Sequence, residues 1–121
     1  MSQSEFSYEY DIKRIQDVQL QLGARHTPST DNPESWAVIL FFQLSDGTRV
    51  EVAKIDNSEH DEGTIHIDQY YREIGAEIKN FDLNINDCWE AENHLSERAL
   101  RFGQTYLQNH GKKPRDDKIN S

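Results

Sequence analysis

The chain has little of what usually announces a function. Its one cysteine, Cys88, excludes an internal disulfide and fits a reducing compartment. No run approaches the roughly eighteen apolar residues that a membrane span requires. Met1 to Phe6 offers neither a basic start nor an apolar stretch, so no secretion signal is expected. There is no phosphate-binding glycine loop, no G-x-S-x-G elbow and no C-x-x-C. No histidine lies four to six residues beyond Arg98 or Arg101, which removes the helical Arg-to-His spacing of one well-known class of small ribonucleases. Internal repeats and low-complexity blocks are also missing. A cytoplasmic location is the expectation.

Positive charge is scarce. Against 22 Asp and Glu stand 13 Lys and Arg, for a formal net charge of −9. Residues 36–85 alone carry ten acids and four bases, and only residues 112–121 are net positive. A general nucleic-acid binder needs a basic stripe to displace phosphate counterions, and the folded part has none. The tail bearing Lys112, Lys113, Arg115 and Lys118 reads as solvated and flexible. An acidic surface suits solubility or a basic partner protein.

Leu, Ile, Val and Phe number 27 of 121 residues, enough for one modest core. Trp36 to Leu44 is apolar on both alternating faces, as a strand covered on both sides requires. Asp46-Gly47 predicts a two-residue hairpin, and Arg49 to Ile55 returns with Val50 and Val52 on one face. Thr64 to Tyr71 reads as a third strand of this run, and a further one ends near Leu83. Upstream, alternation favours a strand at about 17–26, preceded by a short helix or an extended arm. His26 to Ser35, with Pro28 and Pro33, reads as a surface loop.

Cys88, Ala91, Leu95, Ala99, Phe102 and Tyr106 recur at spacings of three and four, one face of a helix over 86–110. Acids precede bases along it, and His110-Gly111 ends it. Cys88 falls on the buried stripe and reads as a core residue rather than a nucleophile. Trp36 and Trp89 read as core or core-edge aromatics. The fold class is therefore α+β: an antiparallel meander of four to five strands with one long C-terminal helix on one face. Residues 1–16 form an arm, 17–111 one domain and 112–121 the tail.

The chemistry-bearing residues concentrate between Asp56 and Arg72. On a strand, His66, Asp68, Tyr70 and Arg72 share one face while Ile65 and Ile67 point to the core. That row supplies a general acid-base and a phosphate clamp, with Asp56 ending the neighbouring strand. A solvated strand face has the same composition. His60, Asp61, Glu62, His66 and Asp68 also offer metal-ligand types, but at no closed zinc spacing, and no cofactor is expected.

The stretch Arg49-Val50-Glu51-Val52-Ala53-Lys54-Ile55-Asp56-Asn57, then Gly63, then His66-Ile67-Asp68-Gln69-Tyr70-Tyr71-Arg72, followed by a strand and a closing helix, resembles the TumE-like toxin group and allied small prokaryotic proteins. The resemblance implies a toxin–antitoxin setting, an RNA-directed activity and a neutralising protein partner. The matching positions are Asp56, Asn57, Gly63, His66 and Tyr70. Two departures stand out: a loop lengthened by Glu59 to Glu62, and Asp68 where a basic residue or histidine suits RNA better. Two functions follow as expectations. In one, His66 is the acid-base, beside Asp56, with Tyr70 or Arg72 on phosphate. In the other, Asp56, Glu59, Asp61, Glu62 and Asp68 form a non-catalytic patch that steers a basic partner. A homodimer, or a heterodimer with an antitoxin-like partner, is expected through the N-terminal arm.

Overall fold

Alternation and turn chemistry build the sheet. The computed structural model describes residues 6–29, 32–57, 65–71 and 85–113. Its strands are β1 (Tyr8–Ile15), β2 (Val18–Ser29), β3 (Asn32–Gln43), β4 (Arg49–Asp56) and β5 (His66–Asp68). They form one antiparallel meander in the order β1-β2-β3-β4-β5. Part of the expected arm is therefore the outer strand of the sheet. The expected loop His26–Ser35 is instead largely strand, because the β2–β3 ladder continues through His26–Trp36 and Thr27–Ser35. The strand expected to end near Leu83, along with Glu59, His60, Asp61, Glu62, Gly63 and Arg72, lies outside the described residues.

The Asp46-Gly47 turn is wider than a two-residue hairpin. The last β3–β4 pair is Gln43–Arg49, and Leu44 N–H donates to the Thr48 carbonyl at 2.9 Å. Within this turn only Gly47 takes a positive φ, 91°. Asp46 instead accepts from Thr48 N–H through its carboxylate at 2.9 Å, which holds its carboxyl below the usual range. A two-residue turn of this kind needs positive φ twice. Asp46 caps the turn instead of bending it.

Two helices follow, α1 (Cys88–Glu97) and α2 (Ala99–His110), where the sequence suggested one. Asp87 opens α1 by accepting from Glu90 N–H at 2.9 Å, and the Glu90 carboxylate accepts from Asn86 N–H at 2.7 Å. This reciprocal arrangement satisfies donors that the first turn would strand. At Arg98 the backbone leaves the helical region (φ −108°, ψ 8°) and its N–H tightens onto the Leu95 carbonyl at 3.2 Å. The apolar stripe survives the joint, because Leu95 and Ala99 keep their four-residue spacing across it. Cys88, Ala91, Leu95, Ala99, Phe102 and Tyr106 are all buried.

That stripe covers one side of the sheet, against Leu20, Leu22, Val38, Leu40, Phe42, Val50, Ile55 and Ile67. The other side has a smaller cluster of Phe6, Ile39 and Phe41. Phe6 stacks on Phe41 with ring centroids 5.5 Å apart, and the Arg49 guanidinium lies 5.0 Å above the Phe6 ring. Phe6 reaches this position only because Gly23 lies beneath it: a Cβ there would stand 2.6 Å from the ring. Trp36 is core, as expected, but Trp89 is 45% exposed. The stripe turns Cys88 inward, so its neighbour in sequence points out.

Two stability measurements test this packing. Leu95→Ala should cost about 2–5 kcal/mol in urea unfolding, while Leu100→Ala, on the exposed side, should cost under about 0.5 kcal/mol. Gly23→Ala should cost about 1–3 kcal/mol by displacing Phe6. In a Phe6→Ala background the same substitution should cost much less, a coupling that a double-mutant cycle reads directly.

Candidate functional site

The β4–β5 register decides which of the expected residues meet. Asp56 lies directly opposite His66, Lys54 opposite Asp68, and Ile55 opposite Ile67. Ile55 and Ile67 are buried on the helix side, so alternation assigns Lys54, Asp56 and Asp68 to the opposite face. The Asp56 side chain is only 5% exposed, and its Oδ2 lies 3.7 Å from Lys54 Nζ. Lys54, Asp56 and Asp68 thus share one face of a two-strand ribbon, and His66 occupies the register position opposite Asp56. Lys54 is the member that sequence reasoning missed. Its spacing of two from Asp56 was the available signal.

Tyr70 does not belong to this row. The strand ends at Asp68, and Tyr70 and Tyr71 turn back to pack on the main core, with Tyr71 stacked 4.2 Å from Phe102. Two aromatic rings contribute more in the core than on a wet strand face, and three strand residues are too few to hold them outward. Asn57 has a structural task. Its side-chain oxygen accepts from Trp36 N–H at 2.9 Å, and its own N–H donates to the Trp36 carbonyl. It extends the β3–β4 ladder one step and fixes the backbone beside Asp56. Burial pushes the Cys88 thiol up, which agrees with a core cysteine. Among the described residues no three His, Cys, Asp or Glu side chains converge as metal ligands.

A second cluster, on the helix side, joins the N-terminal strand to α1. Glu92 of α1 accepts from Tyr8 Oη at 2.6 Å through Oε1 and from Tyr10 Oη through Oε2. Tyr8 and Tyr10 are stacked with centroids 6.3 Å apart; His26 meets Tyr8 edge-on at 5.6 Å and Trp89 edge-on at 5.1 Å. The four rings form a row from α1 across β2 to β1. Burial, then the Glu92 hydrogen bonds and charge, raises both phenols above their ordinary 10.0. Burial lowers the His26 imidazole, with Glu92 opposing. Tyr8 and Tyr10 alternate in sequence and Trp89 and Glu92 share a helix face, but nothing local joins the two pairs across more than eighty residues.

The chain matches a family model, described as a domain of unknown function (DUF7718), over residues 1–112. It belongs to that family. No curated protein and no solved structure matches the chain. The match takes in β1 to β5 and both helices, and with them both residue clusters.

The tyrosine pair sets a pH limit. Folded-state values above the unfolded 10.0 mean that the unfolded chain loses these protons first, so their stabilisation is complete below pH 10 and fades as pH rises through the folded values. The melting temperature should therefore fall above pH 10. A Tyr8→Phe, Tyr10→Phe double variant should show a shallower alkaline decline in the same thermal melts.

Proposed function

We propose that this chain acts on RNA in a toxin–antitoxin or defence setting, as a relative of the TumE-like toxins. The observation that supports the reading is the β4–β5 register, with Asp56 opposite His66 and Lys54 beside Asp56. An imidazole titrates near neutral pH and moves protons in either direction. In the proposed reaction a ribose 2′-oxygen attacks the adjacent phosphorus and the bond from phosphorus to the 5′-oxygen breaks. The His66 imidazole takes the 2′-hydroxyl proton and returns it to the departing 5′-oxygen, leaving a 2′,3′-cyclic phosphate and a 5′-hydroxyl. Asp56 orients the imidazole and stabilises its charged form, while Lys54 offsets charge developing on the phosphate. With a net charge of −9 the chain has no general attraction for RNA, so recognition rests on this local arrangement. The same setting implies a neutralising protein partner, and β1 offers it the outer edge of the sheet.

Induced expression should arrest growth, and His66→Ala should relieve the arrest. The purified chain should cleave single-stranded RNA to cyclic-phosphate ends, slowed about 10²–10⁴-fold by His66→Ala. Lys54→Gln should slow it less. Substrates with 2′-deoxyribose at the cleaved position should resist. Equal arrest by wild type and His66→Ala, or no arrest from either, would remove the catalytic assignment.

A further inference from the structure

The Tyr8, Tyr10, His26, Trp89 and Glu92 cluster lies on the helix side of the sheet, away from the face that carries Lys54 and Asp56, and the proposed RNA chemistry does not use it. Part of it is a strut. Two phenol hydroxyls donate to one carboxylate and tie α1 to β1. A strut explains Tyr8, Tyr10 and Glu92, but it needs neither of two further features. Trp89 is 45% exposed and Tyr10 37% exposed, although both belong to a continuous row of rings. And the carboxylate at the base of the row has no countercharge: among the described residues no Lys or Arg pairs with Glu92, while Asp87 and Glu90 lie exposed on the same end of α1.

A carboxylate offers acceptor positions beyond the two that the phenols occupy, and hydrogen bonds to it from a charged donor are the strong ones. Aromatic faces beside it attract a cation through their quadrupoles, most strongly when the cation is planar and weakly hydrated. Guanidinium meets both demands, stacking on a ring while donating to the carboxylate, whereas an ammonium is a compact, strongly hydrated point charge. We propose that this cluster is a docking site for an arginine side chain of a partner protein, with Trp89 as the stacking surface and Glu92 as the countercharge. The acids at the start of α1 complete the complementarity and steer a basic segment toward it. The site is independent of the RNA reading, so each can fail alone.

The test titrates the full-length, isotope-labelled chain with a short, otherwise uncharged peptide carrying one central arginine, following the backbone amides of α1 and β1 together with the Trp89 indole N–H by NMR. A saturable shift is expected, weakened by salt. It should weaken by about tenfold or more when the central arginine is replaced by glutamine, and less when it is replaced by lysine. Glu92→Gln and Trp89→Ala should each weaken binding about tenfold, while Glu97→Gln and His66→Ala leave it unchanged. Thermal melts show which variants remain folded, and Trp89→Ala, at an exposed position, provides a variant that does not disturb the strut. The proposal is overturned by no saturable shift at millimolar peptide, by equal binding of the glutamine peptide, or by a response that Trp89→Ala leaves intact. It is also overturned if the Trp89 signal moves with protein concentration alone, which would make a second copy of this chain the occupant.

Discussion

The pairing of β2 with β3 is the constraint on which the rest depends. From Gln21–Phe41 to His26–Trp36 it sets two strands in a register that buries Trp36 to Phe42 on both faces. Side chains alternate with period two, so a slip of one residue would send Val38, Leu40 and Phe42 to the wrong side and bring Ile39 and Phe41 under the helices. Each face then demands its own cover. The helix stripe supplies one, and Phe6 with Arg49 supplies the other. An acidic chain with 27 large aliphatic and Phe residues can complete this arrangement only by burying most of them, which leaves little apolar surface to spare.

The same period-two logic passes outward to β4 and β5. Ile55 and Ile67 are pulled to the core side, which sends Asp56 to the other face, and the register sets His66 opposite it. The site residues are therefore placed by their apolar neighbours. Asn57 adds a second restraint by holding the end of β4 to Trp36 through both its backbone and its side chain. Lys54 is held to Asp56 by the intervening Ile55, which puts the two on one face two positions apart.

The helix side illustrates how a structural contact and a recognition surface share residues. Glu92 joins α1 to the outer strand because both tyrosine hydroxyls need an acceptor near the edge of the core. Satisfying them sets the carboxylate beside the row that His26 and Trp89 continue. A polar tie of this kind costs desolvation, which is visible as the upward pull on both phenols.

Local pattern alone determined the α+β class, the antiparallel meander, the both-sided burial of Trp36 to Phe42, the start at Asp87 and the helical stripe from Cys88 to Tyr106. Each is a periodicity or a capping preference written into neighbouring residues, and such signals survive folding because the core rewards them. Tertiary structure decided the break at Arg98, where a tight turn leaves the stripe's spacing unbroken and so leaves no trace in the pattern. It also decided the inward turn of Tyr70 and the extension of β2 and β3 through a polar stretch that reads as loop. Core burial in the first case and ladder hydrogen bonds in the second outweighed local preference. The meeting of Tyr8 and Tyr10 with Glu92 belongs to the same class. Contacts between residues so far apart in sequence are set by how the sheet and helix pack, and no short stretch of chain encodes that distance.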